Sequence, residues 1–264
     1  MNTRITGTGY SLPAFRADND YLATLVETSD EWITERTGIR ARHLAGEETT
    51  VSMAAAAAEK ALKRAGAEPS EVELLIVATI SGDTVTPSTA CRVQALIGAD
   101  QAVAFDINAA CSGFLYALHM ADACVKSGMY KNALLIGAET LSKLVDWSDR
   151  GTCILFGDGA GAAFVEATEK AGILAHEVGS DGSRWEVLSC EGRPNGNPVC
   201  KAEGQEGFLQ MNGQEVFKFA VRKVPQCIDA ALEKAALKPE DVDLYLLHQA
   251  NCRIIQSVAK RLGQ

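Results

Sequence analysis

The stretch TVSMAAAAAEKALKRAGAEPSEVELLIVA, residues 50–78, decides the fold class. Its first half is rich in alanine and leucine, with no glycine or proline before Gly66. A helix is therefore expected over residues 50–64, closed by that glycine. Its last half, residues 72–78, is a nearly continuous apolar run, the pattern of a strand covered on both faces. Outward from it the alternation continues. Thr86-Pro87 is expected to open a second helix closed by Gly98, because proline is tolerated in a first turn. A strand is then expected over 102–107, a helix over 112–127 stopped by Gly128, and a strand over 133–136. Strands alternating with helices imply an α/β protein with a mostly parallel sheet under helical layers.

A second copy of the pattern lies 170 residues downstream: ALKRAGAEPSEVEL (61–74) aligns with ALEKAALKPEDVDL (231–244), six positions identical and three more exchanging like charge. Each copy reads as a helix end, a proline turn and a strand, the mark of a duplicated architecture. The halves are expected at residues 1–170 and 171–264. Two full copies would run to about 340 residues, so the second half reads as truncated. Between the copies, residues 179–213 hold seven glycines and two prolines, a long irregular excursion of the kind that is more often functional than decorative.

Composition narrows the function. The 264 residues are 47% hydrophobic and 22% charged, with a net charge of −9, which excludes disorder. A chain of this size buries roughly 70–75% of the surface its unfolded form exposes. No apolar run approaches the roughly 18 residues of a membrane span, and MNTRITGTGY has no signal-peptide core. A soluble cytoplasmic protein with no membrane partner is expected. The eight cysteines form no C-x-x-C pair, so a zinc ribbon or thioredoxin-type site has no support and most should be reduced small hydrophobes. Residues 1–213 carry −11 and residues 214–264 carry +2. That balance argues against non-specific nucleic-acid binding and leaves a small basic patch suited to an acidic partner.

Two stretches could carry chemistry. In FDINAACSGFLYALH (105–119), a strand ends, small residues turn the chain, and a helix begins at or just after Cys111. Free N–H groups and the positive helix end there would lower the thiol pKa, although a buried core cysteine is the plainer reading. In DLYLLHQANCRII (243–255), a buried strand delivers His248 just before a helix, where a neutral imidazole could hydrogen-bond a reacting carbonyl. Asn251 also reads as that helix's N-cap. His43, His119 and His176 have no partner pattern and read as structural. GDGAG (157–161) lacks the spacing of a dinucleotide fingerprint.

ACSGF (110–114), HQAN (248–251) and CILFGDGAGA (153–162), with SDEWITERTGIR (29–40) and DWSDRGT (146–152), together resemble β-ketoacyl-acyl-carrier-protein synthase III along the whole chain. The resemblance implies a thiolase-like fold of two duplicated βαβα halves. It also implies a decarboxylating Claisen condensation of acyl-coenzyme A, acetyl above all, with malonyl-acyl carrier protein, without metal or other cofactor. Cys111 would be the acyl-accepting nucleophile and His248 would help decarboxylate malonyl. The family's asparagine partner, in a downstream GNTS motif, has no counterpart in this sequence. Trp32, Arg36 and Arg150 would hold the adenine end of coenzyme A, while Gly213, Phe217 and Asn251 would line the pantetheine channel. Arg253, Lys260 and Arg261 would dock acidic carrier protein, and the family implies a homodimer. Alternatives are an inactive fragment kept for binding, a related thiolase-like synthase, or a Cys-His hydrolase; the strand–ACSG–helix context argues against the last. Thr86 reads either as a neighbour of the acyl pocket or as a helix cap.

Overall fold

A computed structural model describes residues 2–200 and 207–263. In chain order its elements are β1 (Asn2–Ser11), β2 (Phe15–Asp18), α1 (Asn19–Ala23), α2 (Asp30–Thr37), β3 (Ala41–Leu44), α3 (Thr50–Ala65), β4 (Leu74–Ala78), α4 (Thr89–Ile97), β5 (Val103–Ile107), α5 (Gly113–Lys126), β6 (Asn132–Thr140), α6 (Arg150–Cys153), β7 (Asp158–Thr168), β8 (Leu188–Ser189), β9 (Gln210–Met211), α7 (Gly213–Ala235) and α8 (Cys252–Arg261). They form two compact units: residues 1–16, 43–140 and 157–178 in the first, and 17–42, 141–156 and 179–264 in the second.

The first unit is a five-stranded sheet in the order β1-β7-β6-β4-β5. β4 runs parallel to β5 and β6, whereas β7 is antiparallel to both β6 and β1. Parallel pairing is thus confined to the strands joined by helical crossovers. Successive side chains of β4 point to opposite faces: Leu75 and Val77 pack with α3 and α4, and Leu74 and Ile76 pack with α5. Burial on both sides explains the unbroken apolar run from which the reading began. The alanines of α3 serve close approach. A Cβ on Gly7 or Gly9 of β1 would fall 2.1 Å from the carbonyl oxygen of Ala61 or Ala57, so helix and strand meet backbone to backbone.

The second unit is built around Leu22, Ile33, Val145, Cys153, Ile154 and Leu209. Buried Arg42 ties its pieces, donating to Asn19 Oδ1 and to the Ile154 carbonyl, each at 2.9 Å. Asn19 in turn donates to Asp30 Oδ1 at 2.8 Å and so anchors the start of α2.

The repeat is visible bond for bond. α3 ends on Gly66 with φ 71° and α7 on Ala236 with φ 55°. Ala67 N–H reaches the Leu62 carbonyl at 3.1 Å, and Leu237 N–H reaches that of Leu232 at 3.0 Å. In the proline turns that follow, Glu71 accepts from Glu68 N–H at 2.8 Å and Asp241 from Lys238 N–H at 2.9 Å.

Two expectations fail. The helix after Pro87 starts at Thr89, not at Thr86: Ser88 is the N-cap and accepts from Cys91 N–H at 3.2 Å. Thr86 therefore has no capping role, and its bond to Pro87 is cis. Secondly, residues 242–248 form no strand among the described residues, and Leu244 and Leu246 are 70% and 85% exposed. The apolar alternation is present, but no neighbouring strand satisfies its backbone groups, and a lone strand is not stable in water.

Candidate functional site

In the first unit, the polar residues gather at the C-terminal ends of β4, β5 and β6, where open α/β sheets place ligands. Cys111 follows β5 in a single turn of 3-10 helix, residues 110–112, and α5 starts two residues later. Ala110 has φ 45°, a left-handed conformation that costs a residue with a Cβ about 1–2 kcal/mol. The turn is packed tightly enough to hold it: a Cβ on Gly113 would sit 3.0 Å from the Ala78 Cβ. Cys111 is exposed as a residue, although the protein around its sulfur still withholds part of its water.

The expected lowering of its pKa is overturned. Removal from water pushes the thiol up, and the Glu139 carboxylate pushes it further, while the residue's own backbone N–H pulls the other way.

Three carboxylates missed in the sequence organise this end of the sheet. Asp106 accepts from Thr89 and Ala90 N–H, each at 2.7 Å, at the start of α4. Asp83 accepts from Thr50 N–H at 3.0 Å and Val51 N–H at 2.9 Å at the start of α3. Glu139, ending β6, accepts from Ile80 N–H, Ser81 N–H, Thr79 Oγ1 and Ser81 Oγ. Thr79, Ile80, Gly82, Asp83, Thr84, Val85, Asp106 and Asn108 line a cleft of about 420 Å³. The only signal for these carboxylates in the sequence was their place at or just after strand ends.

On the far flank of this unit, the two histidines read as structural do find partners. His176 Nε2 lies 2.9 Å from Asp122 Oδ2, Lys126 Nζ lies 2.9 Å from the same oxygen, and the His119 ring stands edge-on to His176 at 4.9 Å. His43 Nδ1 pairs with the Pro13 carbonyl at 2.7 Å.

In the second unit, α2 carries the aromatic platform. Ser29 caps it, accepting from Trp32 N–H at 3.2 Å, and Gly38 ends it with φ 77°, as the sequence implied. The Arg36 guanidinium lies 4.4 Å and that of Arg150 4.8 Å from the Trp32 ring centroid. Arg150 also donates to the Glu27 carbonyl at 3.1 Å. Two cations on one indole form a surface suited to a flat heteroaromatic group bearing phosphates.

The start of α8 is seated on the end of α2. Asn251 accepts from Arg253 N–H at 2.8 Å as its N-cap and donates to the Arg36 carbonyl at 3.1 Å. Arg253 donates to the Glu35 carbonyl at 3.0 Å, while Lys260 and Arg261 are exposed. Gly213 opens α7 behind its cap Asn212, and Phe217 is half-buried one turn on. His248 lies outside regular structure. Surrounding protein, by withdrawing water, holds its pKa below the ordinary histidine value, so it is neutral at pH 7.

An α/β unit with a mixed five-stranded sheet and a cysteine in a strained turn at the ends of its parallel strands has the design of a thiolase-like acyl-transferring protein. The chain belongs to the β-ketoacyl-[acyl-carrier-protein] synthase III family. The family model for 3-oxoacyl-[acyl-carrier-protein] synthase III matches residues 105–182, and that for its C-terminal part matches residues 232–264. The enzyme of that name from Clostridium perfringens is 48% identical over 264 residues, covering 99% of this chain and 82% of the relative. The one from Aquifex aeolicus is 49% identical and covers 100% and 81%. The crystal structure of the Aquifex aeolicus synthase superposes with a TM-score of 0.91 at 48% identity, covering 99% of this chain and 81% of that one. The Thermus thermophilus structure does so with 0.91 at 42% identity, covering 98% and 81%.

Proposed function

We propose that the protein initiates fatty-acid synthesis by condensing an acyl-coenzyme A, acetyl-coenzyme A in the first place, with malonyl-acyl carrier protein. One observation carries the reading. The cysteine of the ACSGF motif occupies a strained, accessible turn at the strand ends of a chain 48% identical to a β-ketoacyl-[acyl-carrier-protein] synthase III over 99% of its length.

In this reading Cys111 sulfur attacks the acyl thioester carbonyl. The new S–C bond forms, the bond to coenzyme A sulfur breaks, and the thiol proton leaves with coenzyme A. Malonyl-carrier protein then loses carbon dioxide, and its enolate attacks the acyl-enzyme carbonyl. A C–C bond forms, the Cys111 S–C bond breaks, and the thiolate is reprotonated. His248, neutral at working pH, donates to the thioester oxygen on which enolate charge develops, a role worth a few kcal/mol for one well-placed donor. The steps balance without a redox partner.

Trp32, Arg36 and Arg150 hold the adenine end of coenzyme A, and Gly213, Phe217 and Asn251 line the path of the pantetheine. Arg253, Lys260 and Arg261 receive the acidic carrier protein; the exposure of Lys260 and Arg261 supports this. A homodimer is proposed as well, supported by the edge position of β5 with Val103 and Leu115 exposed. No helix among the described residues is long and apolar enough to cross a membrane, in keeping with a cytoplasmic site of action. Residues 1–170 and 171–264 are proposed as two halves of an ancient duplication, a division by descent that differs from the compact units.

The test is product formation. Acetyl-coenzyme A and malonyl-carrier protein should give 3-oxobutanoyl-carrier protein by mass spectrometry with the wild type and none with Cys111→Ser. Equal product from both proteins would overturn the assignment.

A further inference from the structure

α2 has only two turns, and a helix that short keeps its shape through what caps it and packs on it. Its start is fixed by Ser29, which caps it, and by Asn19, which holds Asp30. Its end is held by the start of α8. A helix leaves its last four carbonyls without partners of its own, here those of residues 34–37. The Thr34 carbonyl accepts from Gly38 N–H at 2.9 Å. The next two are met from far along the chain: Arg253 Nη2 donates to the Glu35 carbonyl at 3.0 Å, and Asn251 Nδ2 to the Arg36 carbonyl at 3.1 Å. The residue between these two donors packs on the helix stop. A Cβ on Gly38 would fall 2.9 Å from Cys252 Cβ and 3.0 Å from its Sγ, so the missing side chain lets α8 seat there.

This end of α2 carries one half of the cation pair on the indole. Arg36 lies on the last turn, its guanidinium 4.4 Å from the Trp32 ring centroid, and its own carbonyl is the one that Asn251 holds. Arg150 reaches the same ring from α6 and is held separately, by the Glu27 carbonyl at 3.1 Å. Loosening the seat of α8 therefore frees Arg36 and leaves Arg150 in place. Charge supports the same seat, because a cationic guanidinium is favoured at the C-terminal end of a helix, where partial negative charge collects.

We propose that Asn251 and Arg253 are positioning residues for coenzyme A: by closing the last turn of α2 they fix Arg36 over Trp32. The proposal rests on Trp32, Arg36 and Arg150 holding the adenine end. It gives both side chains a task besides the pantetheine path and the carrier surface, so that the helix facing the carrier also sets the grip on the nucleotide.

The test is calorimetric binding of coenzyme A and of its adenosine bisphosphate half, which has no pantetheine. Asn251→Asp keeps the oxygen that caps α8, since the two residues are equal N-caps, but sets an acceptor against the Arg36 carbonyl. Arg253→Met keeps the stem and loses the donors. Each should raise the Kd of both ligands about two- to tenfold, the order of one net hydrogen bond. Arg253→Lys should recover most of the Arg253→Met loss. Nucleotide affinity unchanged in both variants would overturn the proposal, and a loss seen with coenzyme A alone would assign the residues to the pantetheine path. A loss confined to one variant would overturn it for the other residue, and no recovery in Arg253→Lys would overturn it for Arg253. Absence of a cooperative melting transition in both would assign them to folding alone and overturn it too. Trp32→Ala, run alongside, separates the two ideas. If it leaves nucleotide affinity unchanged, the platform reading fails and this proposal with it; if it weakens binding while both seat variants do not, only this proposal fails.

Discussion

Replacing Trp32 with alanine should weaken coenzyme A binding while sparing the chemical step. Two guanidinium carbons, of Arg36 and Arg150, stand 4.4 and 4.8 Å from the indole centroid, each contact worth about 0.5–1 kcal/mol at an exposed site. A flat base stacked on the indole is worth about 1–3 kcal/mol. Converted at 1.4 kcal/mol per decade, its loss raises KM for acetyl-coenzyme A about 5- to 150-fold. The kcat at saturation should change little, because the lost contact is equal in ground and transition states. The decisive control is acetyl-pantetheine, which lacks the adenine nucleotide: its KM should be the same for wild type and Trp32→Ala. Trp32 also packs against the Ile33 cluster, so thermal melts must accompany the kinetics, with Trp32→Phe as the variant that keeps a ring in place. An unchanged KM for acetyl-coenzyme A in a folded Trp32→Ala protein would refute the stacking role, as would equal losses with both donors.

Other outcomes follow from single features. Gly38→Ala combines a φ of 77° with a Cβ placed 2.9 Å from the Cys252 Cβ; it should cost about 2–3 kcal/mol in denaturant unfolding and weaken carrier-protein binding through the displaced start of α8. Ala236→Gly should stabilise by up to about 1 kcal/mol, since relief of the left-handed residue exceeds the added freedom of the unfolded chain; a lower denaturation midpoint would contradict this. Burial disfavours the Asp122 charge, but Lys126, Thr3 and His176 together outweigh it and leave the carboxyl below its ordinary value. Its contribution to stability is therefore present above the unfolded pKa, about 3.9, and is lost as pH falls through the lower folded value. Unfolding measured from pH 7 to pH 2 should show a shallower acid loss in Asp122→Asn.

What the sequence made legible was whatever short-range physics determines. The helix of α3, its stop at Gly66, the caps at Ser29 and Asn251 and the glycine end at Gly38 all depend on residues within one turn of one another. The repeat was readable because its proline turn and carboxylate cap are local too. Ser88 was overlooked because proline in a first turn and proline just before a cap look alike in one sequence. The strand at 242–248 failed because a ladder needs a partner that alternation cannot supply. Glu139, Asp83 and Asp106 bond to groups 16 to 60 positions away, so in one dimension they are ordinary acidic residues. The direction of the Cys111 pKa is hidden in the sequence for the same reason. The helix start was visible in the sequence, but the loss of water and the neighbouring carboxylate were not.

The most direct test of the assignment is the intact mass of the protein after treatment with acetyl-coenzyme A alone. A single acetyl group on the wild type, located by peptide mapping to Cys111 and absent from Cys111→Ser, is the expected result. No acetyl on the wild type, or an acetyl that persists in Cys111→Ser, would contradict it.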